Sequence, residues 1–509
     1  MKKENSNNVK RQFGWLIFFI ITFFNILIIE LLVLAIEPLW ADFNYYLGDM
    51  VGTLQINFVY ILILIISIPL IYSGIIIILS LIQLIRSKKV KPHIVNKVVS
   101  IIFLAFFDFL LIILIVLFGE EAAIIGSLIM DNIIIIYMIL IVILISIIPT
   151  IYNKFRKFTK TASYHKIKGI TVLSLIIIGY IIAFILPFLV VPPNVTDQIP
   201  PKPKLIAHRG LSHLAPENTY IAWKLAKEHG ANGIEIDTQI SLDGKLFLMH
   251  DDTLKRTTNV DKIFPNRVND DASSFNFSDL MKLNAGSWFV ERDPYGSIKK
   301  GLINQTMINY YLKNVSIPTL EEVLNFCRDN NMILDVDFKY PAQTHPYYSQ
   351  LFNLTLYTIN KSGINQSLVW ITSGNYTNLN YVKNNYPNMI TALSIDPKNP
   401  PSVQEFLTLG YNMINSHYSV PSNVLKSYYK SGIKVNLWTV DILATFSQLW
   451  CLGATYITTN EAHNFVIMNQ PSWYFSTFSY YGIWIVLYVF GLSSIFIFKY
   501  FSEKKELKN

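Results

Sequence analysis

Long apolar runs and short alternating ones divide this chain into two kinds of territory. No Lys or Arg occurs from Gln12 to Ile85, from Val98 to Asn153 or from Gly169 to Pro201. These gaps hold apolar runs of the ~20 residues that a helix needs to cross hydrocarbon. Five such helices are predicted, over Phe13–Ile36, Phe58–Ile85, Val98–Phe118, Ile133–Ile151 and Gly169–Val191, with a sixth over Tyr480–Phe498. The first is too long, and too poor in small residues at a cleavage position, to read as a removable signal peptide. Between the fifth and sixth runs the pattern changes. Short apolar strands alternate with helical periodicity over residues 204–469, a length suited to one (β/α)8 barrel. Candidate strands are Lys204–Ala207, Gly233–Ile236, Leu246–Met249, Ile333–Phe338, Leu368–Ile371, Met389–Leu393, Asn412–Asn415, Lys434–Leu437 and Ala454–Ile457. Nine strands for eight places means that one assignment is expected to be wrong.

The joints fit this division. Val191–Pro203 (VPPNVTDQIPPKP) reads as a stiff spacer, and the aromatic segment from Pro471 to Tyr481 reads as an interfacial belt. The expected order is therefore a cytosolic segment and five spans (1–191), a linker (192–203), the barrel (204–469), the belt and sixth span (470–498) and a basic tail (499–509).

Composition turns this pattern into a topology. The chain has 509 residues, 52% hydrophobic and 15% charged, with a formal net charge of +8. Soluble domains carry about 25% charge, so a wholly soluble or disordered protein is excluded, and two cysteines, enough for one bridge at most, exclude a disulfide scaffold. The basic residues cluster at Lys2–Arg11, Arg86–Lys97, Lys154–Lys168 and after Phe498, whereas the alternate loops carry Glu37, Asp42, Asp49, Glu120, Glu121 and Asp131. The positive-inside rule then places both termini in the cytosol and the barrel outside; the basic cytosolic segments are expected to meet anionic membrane lipids of the inner leaflet, and no nucleic acid is expected as a partner. Residues 192–498 hold 23 basic and 23 acidic residues, so the positive charge is a topology signal. Within the spans, Glu30 is expected at an interface and Asp108 in an inter-helix hydrogen bond.

Several strands end in reactive side chains. The first leads into His208-Arg209-Gly210, followed by Pro216-Glu217-Asn218-Thr219 at a helix start. The second carries Glu235 and Asp237 on one face by its two-residue period. The third leads into His250-Asp251, and the fourth carries Asp335, Asp337 and Lys339. In a barrel these ends converge on one face. Carboxylates from two strands are hard ligands suited to one divalent metal ion, Ca²⁺ in preference to Mg²⁺. Arg209 offers a planar fork for phosphate, and two histidines offer a base and an acid around a phosphodiester.

These residues resemble a known family. His208-Arg209-Gly210, Pro216–Thr219, Glu235-Ile236-Asp237, Asp243-Gly244 and His250-Asp251 are similar to the motifs of glycerophosphodiester phosphodiesterases. Leu254–Asn259, Leu283–Phe289, Ile317–Leu324 and Trp438–Val440 agree, and Arg256–Pro265, Leu283–Arg292 and Gln448–Asn460 resemble the animal six-transmembrane branch. The resemblance implies a triosephosphate-isomerase-type barrel with an insertion over about 252–316. It implies catalytic His208 and His250, metal ligands Glu235, Asp237 and Asp337, and substrate-binding Arg209, Glu217, Asn218, Lys339 and Trp438. Lys339 is alternatively a partner of Asp337, and Trp438 a packing residue. It further implies glycerophosphodiesters, lysophospholipids or phosphoinositol-linked lipid anchors as substrates. Asp337 stands where many soluble members have Glu, and Thr458-Thr459-Asn460 offers no carboxylate where a Thr-Asp pair is usual.

Other histidines, including His213, His229, His345, His417 and His463, read as ordinary surface or core residues. Cys327 and Cys451 read as free buried thiols, and eight sequons from Asn194 to Asn375 fall in the outer segment. A catalytically weak receptor or binding protein that keeps the barrel is the alternative, and a transporter with an outer domain a further one. The paired histidines beside a metal site speak against the first, and the lack of broken or repeatedly charged spans against the second.

Overall fold

Eight of the nine apolar strands close a parallel barrel, and the ninth explains how His250 reaches its rim. In this computed structural model the described residues are 191–472 except 314, most of 474–489, 58–85, 92–117, and parts of 15–33 and 181–189. The strands are β1 (Lys204–Ala207), β2 (Gly233–Ile240), β3 (Leu246–Leu248), β4 (Ile333–Phe338), β5 (Val369–Ser373), β6 (Ile390–Ile395), β7 (Met413–His417), β8 (Lys434–Trp438) and β9 (Tyr456–Thr459). Their order, β1-β9-β8-β7-β6-β5-β4-β2, closes by pairing of β1 with β2, and every one of these pairings is parallel. Helices cover the outside, so these strands read as continuous apolar runs rather than alternating ones. All eight residues of β2 are buried.

β3 is the strand without a barrel place. It pairs antiparallel with β2, Thr238 opposite Leu248 and Ile240 opposite Leu246. The chain therefore continues past the rim along β2, reverses at Asp243-Gly244, and returns so that Met249 N–H donates to Asp237 C=O at 3.0 Å. Gly244 has φ +83°, the left-handed conformation that makes glycine the suitable residue at this turn. His250 is thus delivered by a hairpin rather than by a third parallel strand. A series of short helices, beginning at Val260–Ile263 and ending at Gln305–Lys313, separates β3 from the barrel helix Leu320–Asn330.

Local signals set the helix starts around the rim. Thr219, the last residue of the Pro216–Thr219 motif, caps Tyr220–Glu228 by accepting from Ala222 N. Thr319 and Glu322 form a reciprocal capping box on Leu320–Asn330. Between β1 and its helix, Gly210 has φ +84°, and a Cβ there would stand 2.6 Å from Ala222 Cβ. Gly210→Ala should therefore combine backbone strain with overpacking and cost about 2 kcal/mol or more. The measurement is the thermal midpoint of the whole chain in detergent, which should fall by several degrees.

The two ends of the barrel segment lie side by side. Thr196 N–H donates to Phe475 C=O at 2.9 Å and Phe475 N–H to Asn194 C=O at 2.9 Å. Lys202 Nζ donates to the carbonyls of Val466 and Met468, both at 2.7 Å. Further along, Tyr480 Oη donates to Pro187 C=O at 2.7 Å and the Phe188 and Tyr481 rings stack at 5.4 Å. Asn194, one of the eight sequon asparagines, is fully buried, whereas Asn276, Asn304, Asn353, Asn360, Asn365 and Asn375 are exposed. Cys327 and Cys451 are free and buried, and burial pushes the Cys451 thiol up to about 11.

A separate compact unit holds the described N-terminal helices, Phe58–Ile85 of 28 residues and Ile94–Leu117 of 24. Among the described residues one stretch, Phe58–Ser80, is long and apolar enough to cross a membrane. Asn25 Nδ2 donates to Asp108 at 2.8 Å, the expected inter-helix bond, and Ser67 Oγ donates to Glu30 at 2.7 Å. The predicted span Ile133–Ile151, most of Gly169–Val191, the end of Tyr480–Phe498 and parts of Phe13–Ile36 lie outside the described residues.

Candidate active site

Parallel pairing of β2 with β4 sets Glu235 beside Asp335 and Asp237 beside Asp337. Donor oxygens of Glu235, Asp237 and Asp337 lie within 4.8 Å of one another. Like charges directly opposite on adjacent strands repel, so this register needs positive charge. Lys339 supplies part of it, with Nζ 2.8 Å from Asp337 Oδ2 and 3.3 Å from Asp237 Oδ1. Arg209 Nε stands 3.4 Å from Asp237 Oδ2, and Asn218 Nδ2 donates to the same oxygen at 2.7 Å.

Crowding leaves its mark on protonation. Burial, then the neighbouring Asp237 charge, pushes the Glu235 carboxyl well above the usual range. Burial, aided by Asp337 and Asp237, pushes Asp335 up to about 7, against a 2.5 Å hydrogen bond from Thr372. Burial also opposes ionisation of Asp237, but Arg209 and Lys339 outweigh it and hold that carboxyl low. The donors are all hard oxygens, and the Asp337 side chain is 40% exposed, which leaves room for water and a phosphate oxygen. The residues present thus fit a divalent cation of the Ca²⁺ or Mg²⁺ type.

His208 follows β1 and faces the cluster from the side, its Nε2 3.9 Å from Glu235 Oε2. Its Nδ1 is 2.9 Å from Asn460 Oδ1. Asn460 is itself oriented, because its Nδ2 and backbone N–H donate to Asp441 at 2.6 and 2.8 Å. With the amide oxygen turned to the ring, Nδ1 carries the proton and Nε2 a lone pair. Burial, then the Arg209 charge, lowers His208 to about 3. An unfolded histidine titrates near 6.5, so between about pH 6.5 and 3 the unfolded chain binds a proton that the folded chain refuses. Stability contributed by neutral His208 is complete above pH 6.5 and is lost as pH falls through that window. His208→Gln should flatten the decline of the melting temperature between pH 6.5 and 4.

His250 stands across the rim in a different setting. Its Nδ1 lies 2.8 Å from Asp251 Oδ1. Arg256 grips Asp251 through Nε at 2.6 Å and Nη2 at 2.7 Å, and grips Glu217 through Nη1 at 2.8 Å and Nη2 at 2.7 Å. Burial works against ionisation of Asp251, but the Arg256 hydrogen bonds prevail and lower it to about 2. Glu217 also accepts from Arg209 Nη1 at 3.0 Å. Glu217 and Asn218 therefore brace Arg209, Arg256 and Asp237 from below the rim.

Trp438, at the end of β8, stands edge-to-face against His417 at 5.7 Å. Asp251, Arg256, Asn460 and Asp441 were not among the predicted site residues. Asp251 and Arg256 were within reach, because both lie in the quoted motifs. Asp441 was not: it supplies through Asn460 the negative charge that Thr458-Thr459-Asn460 lacks.

Residues 208–463 match the glycerophosphoryl diester phosphodiesterase family. A Mus musculus glycerophosphoinositol inositolphosphodiesterase is 35% identical over 297 residues, covering 57% of this chain and 52% of its own. Glycerophosphodiester phosphodiesterase domain-containing protein 5 of Gallus gallus is 33% identical over 313 residues, 59% of this chain and 49% of its own. The chain thus spans about half the length of the curated relatives it matches. An Oleispira antarctica phosphodiesterase, solved with sn-glycerol-3-phosphate, aligns with TM-score 0.42 and 23% identity over 52% of this chain and 96% of its own. On the match over residues 208–463, the chain belongs to the glycerophosphoryl diester phosphodiesterase family.

Proposed function

We propose that this chain is a membrane-anchored phosphodiesterase that cleaves glycerophosphodiesters, or lipid-linked phosphodiesters, at the outer membrane surface. The observation that carries the reading is the pair of differently prepared histidines flanking the Glu235, Asp237 and Asp337 cluster. Neutral His208 offers Nε2 as a base. It takes the proton of the attacking substrate hydroxyl as that oxygen bonds to phosphorus. His250, its Nδ1 held 2.8 Å from the Asp251 carboxylate, gives a proton from Nε2 to the leaving alkoxide as that oxygen's bond to phosphorus breaks. Water then opens the cyclic product with the two roles reversed. A divalent cation held by Glu235, Asp237 and Asp337 would neutralise charge on the non-bridging phosphate oxygens. Ca²⁺ is favoured because the ligands are oxygens on an open, partly exposed site. Arg209 orients the phosphate, and Trp438 borders the substrate from β8.

The membrane reading rests on six apolar runs and on the clustering of basic residues in alternate loops. It places both termini in the cytosol and the barrel outside. The close approach of 194–196 and 475 brings the two barrel ends together, as attachment of both to one membrane face requires. The test is to present glycerophosphocholine and glycerophosphoinositol to the purified chain with Ca²⁺ or a chelator and to identify the products. Product that forms with Ca²⁺ and stops with chelator supports the reading. Equal release in both conditions sinks its metal arm.

A further inference from the structure

A second group of ligand-type side chains lies outside the carboxylate cluster. Donor atoms of His213, Glu461 and His463 fall within 4.8 Å of one another. Pairing of β1 with β9 brings them together. His213 lies in the loop after β1, and Glu461 and His463 flank the start of the helix Ala462–Val466 after β9. His213 Nε2 is 2.9 Å from Glu461 Oε1, and His463 Nε2 is 3.8 Å from Glu461 Oε2. The two imidazoles stack with centroids 4.9 Å apart.

A structural ion pair accounts for half of this. Glu461 and the 5% exposed His213 are in direct contact. His463 does not fit that account. Its side chain is nine-tenths buried, and neither ring nitrogen has a hydrogen-bond partner. Buried polar atoms are rarely left idle without a reason. A cation bound through a ring lone pair would give His463 the partner it lacks.

We propose that His213, Glu461 and His463 form a binding site for a transition-metal ion of the zinc class, separate from the carboxylate site. Two imidazoles and one carboxylate suit zinc, with a fourth position for water, whereas Ca²⁺ and Mg²⁺ prefer all-oxygen shells. Zinc–ligand bonds of about 2.0–2.2 Å require the three donors to close in slightly by side-chain rotation. The bound ion ties the loop after β1 to the loop after β9. Both loops also hold His208, the second through Asn460, the residue before Glu461. The ion would then be a positioning element for His208. The inference stands whether or not the chain cleaves phosphodiesters.

The test uses the whole chain in detergent, stripped with EDTA, equilibrated with Zn²⁺ and freed of excess metal. Elemental analysis should find one tightly held zinc in the wild type and in Glu235→Gln, and at least about tenfold weaker retention in His463→Gln. Zinc should raise the melting temperature of the wild type but not of His463→Gln. X-ray absorption of the zinc-loaded wild type should show imidazole scattering, a result that needs no variant to fold. Absence of retained zinc, a shell of oxygens alone, or zinc lost with Glu235 and kept without His463 would each overturn the proposal.

Discussion

Replacing His250 with alanine is expected to lower kcat/KM by about 10³-fold, within the range of one acid–base group. The geometry allows little compensation. His250 and Asp251 form one unit, and Arg256 holds Asp251 in place from the same loop. Removing the ring leaves Asp251 and Arg256 paired with each other, and Arg256 still paired with Glu217. The His250 side chain is 34% exposed, so its loss opens no core cavity. Melting temperature and delivery to the surface should therefore match the wild type. Asp251→Asn tests the supporting half of the unit. It keeps the shape but removes the carboxylate charge that orients the His250 ring, so kcat/KM should fall.

Glu235→Gln should weaken Ca²⁺ binding at least about 100-fold, the upper end of what loss of a mere supporting partner costs. Glu235 is buried, its carboxyl is pushed up by burial and by Asp237, and it accepts the backbone N–H of Arg209 at 2.9 Å. Glutamine keeps that acceptor and the volume but removes one charge from the crowd. Two effects with opposite signs follow. Without Ca²⁺ the variant should melt higher than the wild type, because carboxylate repulsion is relieved. With saturating Ca²⁺ the wild type should gain stability by mass action and the variant should not. Calorimetric titration and melting curves with and without Ca²⁺ read both effects.

The sequence showed the catalytic rim more plainly than it showed the supports beneath it. β1 and β4 have the predicted bounds, because each is an apolar run whose end is marked by a reactive side chain. The face shared by Glu235 and Asp237 follows from strand period alone, and pairing with β4 then brings Asp337 alongside. β3 was ambiguous for a physical reason. Leu246–Leu248 is as buried as a barrel strand, and hydropathy does not record strand direction. The Asp243-Gly244 turn was the clue, since so short a connection permits an antiparallel return and not a parallel crossover. Contacts across long sequence separation were not legible. Arg256 meets Glu217 across 39 residues, and Asp441 orients Asn460 across 19. Lys339 held two readings, and its contact with Asp337 is the part of them that the structure records. The idle nitrogens of His463 could not be foreseen, because they depend on the stacking of a ring 250 residues earlier in the chain, brought alongside by the pairing of β1 with β9.

The most direct measurement is phosphodiester turnover by the purified whole chain, wild type against His250→Ala, each with Ca²⁺ and with chelator. Glycerophosphoinositol and glycerophosphocholine serve as substrates, and released products are quantified. The account predicts turnover by the wild type with Ca²⁺, its loss with chelator, and a fall of about 10³-fold in the folded variant. Wild-type turnover that His250→Ala retains in full, or its absence from a folded, Ca²⁺-loaded wild type on every diester offered, would contradict it.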